Sequence, residues 1–135
     1  MYYDFTVNVP ANTPEYDPVE QILPLTAGVI QRVSVQFPRG TFARVHVKLL
    51  YHEYQIWPTN HDGSLNADGY PLEWDESYPL DAEPYEIKAV LWSTADTYDY
   101  DINIRFGILR TEDVEKQSGV ISALKSFLKL VGVGG

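Results

Sequence analysis

An all-β chain, folded as an antiparallel β-sandwich of jelly-roll-like or Ig-like type with a short C-terminal amphipathic helix, is what this sequence predicts. Three observations carry that reading. Apolar and polar residues alternate with period two in segment after segment of residues 1–115. Turn-forming residues separate those segments at intervals of about ten residues, as in sandwiches and barrels. Past Glu115 the spacing becomes helical and the charge changes sign. Two units follow: a sandwich domain over 1–115 and an amphipathic helical tail over 116–135.

Taken in order, Tyr3–Val9 and Val19–Leu25 are the first strand candidates. Prolines 10, 14, 18 and 24 flank them, and proline cannot donate to a ladder, so both belong at sheet edges. Val33, Val35 and Phe37 alternate with Arg32, Ser34 and Gln36, and Val45, Val47, Leu49 and Tyr51 alternate with Arg44, His46 and Lys48. Pro38-Arg39-Gly40-Thr41 between them predicts a hairpin. Glu53–Trp57 and Leu72–Trp74 are short strand candidates. Tyr85, Ile87, Ala89 and Leu91 form one face of a further strand whose other face turns apolar at Val90 and Trp92, which predicts cover on both sides. The clearest strand has Tyr100, Ile102, Ile104, Phe106 and Ile108 on one face and Asp101, Asn103 and Arg105 on the other. Ser93-Thr94-Ala95-Asp96-Thr97 predicts a second hairpin leading into it.

In the tail, Ser118 is a helix-capping residue and Val120, Ile121, Leu124, Phe127, Leu128 and Val131 share one face at helical spacing. Gly132 and Gly134-Gly135 stop the helix. A helix this short needs something to pack on. It either covers an open end of its own sandwich or docks on another protein, and those six residues are the candidate interface.

Charge narrows the partners. Residues 1–115 carry a formal −12 and the tail, with Lys116, Lys125 and Lys129 and no acid, carries +3, which together give −9. An acidic body offers no clustered Lys/Arg for phosphates, so no nucleic-acid surface is expected. No apolar run approaches the ~18–20 residues of a membrane span. With no cysteine there is neither a disulfide framework nor a thiolate metal site. Met1-Tyr2-Tyr3-Asp4 has neither the basic nor the apolar character of a secretory leader, so synthesis in a cytoplasm is expected.

Four constellations could carry chemistry. From Leu49 to Ile87 nine acids occur with no Lys or Arg, and within this run residues 60–69 form a turn-rich loop of oxygen donors. Asn60, Asp62, Ser64 and Asn66 could ligate a hard cation, but Gly63 falls at the fourth position of the run where an EF-hand loop has its glycine at the sixth, and no closing Glu follows. A solvated loop is the plainer alternative, and no metal or cofactor is expected. Glu73, Asp75 and Glu76 surround Trp74, but glycosidase chemistry needs two carboxyls about 5–10 Å apart across a cleft. His46, His52 and His61 lack zinc-site spacing. Finally Trp57, Trp74, Trp92, Tyr51, Tyr54, Tyr70, Tyr78, Tyr98 and Tyr100 form either a sugar-stacking platform or inter-sheet core and interface. No catalytic residue is assigned, and the chain is expected not to be an enzyme.

The stretches Leu23-Pro24-Leu25-Thr26-Ala27-Gly28-Val29-Ile30, Val33–Pro38, Gln55-Ile56-Trp57-Pro58-Thr59-Asn60, Trp74-Asp75-Glu76 and Arg105–Leu109 resemble small β-rich proteins of tailed-phage and related microbial genomes. The nearest characterised type is the phage capsid decoration (cement) protein. That resemblance covers most of residues 20–110 and implies a virion structural protein that binds capsid or another virion protein and forms homo-oligomers. It brings no functional residues with it. The alternative is a carbohydrate- or ligand-binding sandwich module, with or without the assistance of a cation.

Overall fold

Each alternating segment becomes a strand, and the apolar member of each alternation turns into one shared core. The computed structural model describes residues 1–110. Its eight strands are β1 (Tyr2–Val9), β2 (Val19–Pro24), β3 (Gly28–Gln36), β4 (Val45–Tyr51), β5 (Tyr54–Trp57), β6 (Pro71–Leu80), β7 (Glu86–Ser93) and β8 (Tyr100–Arg110). The tail helix expected over 116–135, with Val120, Ile121, Leu124, Phe127, Leu128 and Val131, lies outside the described residues. No helix among the described residues is long and apolar enough to cross a membrane.

The strands form two four-stranded antiparallel sheets, β1-β8-β3-β6 and β2-β7-β4-β5. The pairing is nested: β4 with β5, β3 with β6, β2 with β7, and β1 with β8. That is a long hairpin rolled into two layers, the jelly-roll arrangement. An Ig-like chain would put its first two strands in one sheet; here β1 and β2 lie in different sheets.

Nesting overturns both expected hairpins. The 37–44 and 94–99 connections join strands of opposite sheets, so each crosses the sandwich instead of turning within a sheet. Val33 and Val35 of β3 therefore meet Val45 and Val47 of β4 across the core, all four fully buried with Ile102, Ile104 and Phe106 of β8. Among the described residues the one tight hairpin joins β4 to β5 through His52 and Glu53, both at positive φ (51° and 66°). Such two-residue turns normally use Asn-Gly.

The edges follow the prolines. β1 and β6 bound one sheet, and β2 and β5 the other. β6 carries Pro71 and Pro79 and points the charged Glu76 toward the interior, devices that discourage pairing with a foreign strand. β7 is a central strand, and Trp92 on its outer side is buried as expected. The outer face of the first sheet is a lattice of cross-strand polar pairs. Arg32 reaches Asp75 at 2.8 Å and Glu73 at 3.0 Å, Asn103 donates to Thr6 at 3.0 Å, and Asn8 donates to Asp101 at 2.9 Å.

Candidate functional site

Antiparallel nesting gathers four connections at one pole of the sandwich: residues 10–18, 37–44, 58–70 and 94–99. Each presents one exposed aromatic ring. Tyr16 is 91% accessible, Phe42 70%, Tyr70 58% and Tyr98 66%. Side chains this apolar are normally the ones a domain hides, so one on each of four neighbouring loops points to a working surface.

The loops are tied to one another. Asn12 N–H donates to the Ala95 carbonyl (2.7 Å), Ala11 N–H to Asp99 Oδ1 (2.9 Å) and Ser93 N–H to the Thr13 carbonyl (2.9 Å). Gly40 N–H donates to Asp68 Oδ1 (2.8 Å), and the buried Thr41 hydroxyl to the Ala67 carbonyl (2.7 Å). Thr94 N–H donates to the Arg44 carbonyl (3.0 Å), and the Tyr100 hydroxyl to the Gly40 carbonyl (2.8 Å). Loops braced like this hold side chains in fixed positions, the arrangement that binding loops share.

The 37–44 loop has a further peculiarity. Phe42 and Ala43 both sit at positive φ (49° and 57°), and Arg44 N–H closes the turn on the Thr41 carbonyl at 2.9 Å. The Arg44 guanidinium is spent on the Thr41 and Gly40 carbonyls (3.1 and 3.3 Å) and lies 5.6 Å from the centre of the Phe42 ring. Between this loop and 94–100 runs an open cleft of about 430 Å³, lined by Arg39, Phe42, Arg44, Thr97, Tyr98 and Asp99 among others.

The aromatics named from sequence divide. Trp57, Trp92 and Tyr51 are buried, while Trp74, Tyr78 and Tyr100 pack half-buried against the core. The three tryptophans therefore form no outer platform. Trp57 and Trp74 stand edge to face at 6.0 Å, and both indole N–H groups donate to Oε1 of Glu76, each at 2.9 Å. That shared carboxylate links β5 to β6 where the two sheets would otherwise gape. Tyr70 and Tyr98 stay exposed at the loop pole, and Tyr54 is exposed on β5.

Glu73, Asp75 and Glu76 do not converge on one point. Glu73 and Asp75 face outward onto Arg32, and Glu76 faces inward onto the indoles. In residues 60–69 the oxygen donors are engaged separately. Asn60 turns back on Gly63 N–H and its side chain reaches Asp62, Leu65 pairs with Val47 of β4, Ser64 meets His46, and Asp68 holds Gly40. No three Asp, Glu or His side chains among the described residues gather as a metal would require.

The histidines are likewise apart. His46 stacks on Trp92 and shares a 2.8 Å hydrogen bond with Ser64, and burial lowers its pKa from the ordinary value, opposed more weakly by Glu15. His52 occupies the β4–β5 turn, and His61 meets Tyr54 edge-on at 4.9 Å. Near His52 a second hollow of about 330 Å³ lies between Ile22, Leu50 and Lys88. Its cation is already committed: Lys88 reaches Glu53 at 3.2 Å and Glu20 at 3.5 Å.

Sequence reasoning missed Tyr16 and Phe42. Tyr16 had a signal, standing in the proline-bounded Pro14-Glu15-Tyr16-Asp17-Pro18 where no strand could bury it. Phe42 had none beyond its place after Gly40. Compared with protein-family models, with curated proteins and with solved structures, the chain matches none.

Proposed function

We propose that this protein is a non-enzymatic structural accessory protein of a virion, a decoration protein that occupies repeated sites on a capsid exterior. One observation supports this reading above the others: the molecule is polar in layout. All four aromatic loops stand at one pole, and β8 carries the chain away to Arg110, paired with Gly28, at the other. The described chain therefore ends at the far pole, ahead of residues 116–135 in sequence. A module attached through that segment holds its braced loops outward. The nested jelly roll suits the role, since it gathers its buried apolar side chains in one core and marks the long edge strand β6 with Pro71 and Pro79. The acidic body keeps such particles dispersed by mutual repulsion.

The experiment is a protein inventory of virions purified from a culture of the genome that encodes this chain. Expected is the chain at a copy number matching a class of repeated capsid positions, lost when residues 118–135 are deleted. Its absence from purified particles overturns the assignment. Retention of the deleted form on particles moves the attachment from the tail to the sandwich edges.

A further inference from the structure

We infer that the cleft between residues 37–44 and 94–100 is a binding site for an acidic saccharide, a sugar chain carrying carboxylates. The inference does not rest on the virion assignment.

The first ground is an unused cation. Among the described residues Arg39 makes no hydrogen bond or ion pair, whereas Arg32 holds two carboxylates, Arg105 lies 3.5 Å from Asp4, and Lys88 holds Glu53 and Glu20. Arg44 and Lys48 also hold no carboxylate, but both are spent on backbone carbonyls, whereas Arg39, among the described residues, is spent on nothing. Its stem runs alongside Gly69, where an added Cβ would meet Arg39 Cγ at 2.9 Å. An uncommitted guanidinium at the cleft wall is a ready fork for a carboxylate from outside.

The second ground is the pair of rings. Phe42 and Tyr98 line the same cleft from opposite loops, and both are largely exposed. Phe42 is held there at a cost, since positive φ disfavours a bulky residue and the turn would be relaxed by Asn or Gly. Nothing in the core uses the ring; Arg44 only supports it from below. Exposed aromatic faces stack on the C–H faces of sugar rings, while the Tyr98 hydroxyl and the Asp99 oxygen not held by Ala11 N–H supply partners for sugar hydroxyls. The volume falls among ordinary small-ligand sites.

The backbone argues against a peptide. Gly40 N–H and Arg44 N–H, at the cleft, are spent on Asp68 and the Thr41 carbonyl, so neither is free to extend a ladder onto a peptide. A saccharide needs only rings and side chains.

The full chain is titrated by NMR with a panel of oligosaccharides containing glucuronate, galacturonate or sialate, with their carboxyl-reduced counterparts, and with a Glu-rich peptide. Expected are saturable shifts at residues 39–44 and 97–100 with at least one acidic sugar, and weaker binding of its reduced form. Arg39→Gln should lower affinity roughly tenfold and abolish the preference for the acid form. Phe42→Gly should abolish binding while the melting temperature holds or rises. No saturable binding across the panel overturns the proposal. So does binding that Arg39→Gln leaves intact, or binding of the peptide in place of the sugars.

Discussion

The imidazole of His46 lies flat against the indole of Trp92, ring centroids 5.2 Å apart and planes within 10°. Neighbouring strands β4 and β7 present the two side chains at paired positions on the outer face of their sheet. Ser64 reaches in from the 58–70 loop to hydrogen-bond His46, and Lys48 covers the indole from 5.5 Å. A tryptophan on an outward position is thereby buried by polar neighbours.

That stack predicts a pH dependence. Burial lowers the His46 pKa below its ordinary 6.5, with Glu15 opposing more weakly. The unfolded chain then takes up a proton before the folded chain does, so stability rises with pH through that window. The contribution is fully present above about 6.5 and is lost as pH falls through the lowered folded value. Melting temperatures from pH 7.5 to 5 should show wild type converging on His46→Gln at the acid end. A parallel fall of both curves refutes it.

Glu76 and its two indoles give a second test. Glu76→Leu leaves the N–H groups of Trp57 and Trp74 without their acceptor, at about 1–3 kcal/mol for each buried donor stranded. Glu76→Gln keeps a side-chain oxygen and should lose much less. Chemical denaturation followed by tryptophan fluorescence separates the two; equal losses would show that the carboxylate's place on the edge strand matters and its acceptor does not.

Phe106 is fully buried between Phe5 and Trp57, with centroid distances of 6.4 and 6.5 Å. Phe106→Ala should cost about 3–5 kcal/mol. Tyr98→Ala, at the exposed pole, should stay within about 0.5 kcal/mol. Thermal melts of both variants check the contrast.

Gly28 starts β3 where it pairs with Arg110 of β8 and Leu80 of β6. A Cβ there would stand 2.2 Å from the backbone oxygen of Leu109, which no rotamer can relieve. Gly28→Ala should destabilise by at least about 2 kcal/mol, read as a lowered denaturation midpoint.

The strands were legible because period-two alternation is a local property, and Ile102, Ile104 and Phe106 announce their shared face without reference to any partner. Sheet membership was not. Val33 and Val45 alternate identically whether their strands lie side by side or face each other across a core, so Pro38–Thr41 looked like a hairpin when it is a crossing. The real hairpin hid because His52 and Glu53 lack the Asn-Gly signature that positive φ usually demands. The same silence covered Phe42. The inward carboxylate of Glu76 was equally unreadable, since its burial is sustained by an indole from the other sheet. Tyr98 was visible as an aromatic in a turn, but only the topology sets it across a cleft from Phe42 and Arg39.

The nesting also sets an order of events during synthesis. Tyr2 pairs with Gly107 and Val9 with Tyr100, so β1 has β8 as its only described ladder partner. While the chain emerges from a ribosome, β1 waits with its hydrogen-bonding groups unpaired until nearly the whole sandwich has been translated. Only β4 and β5 can zip at once, and the outer pairs close around them in sequence. Long loops must therefore be closed before contacts reward them, which makes for slow folding. Losing residues 2–9 would strip β8 of one of its two ladder partners and leave it as an edge strand held by β3 alone.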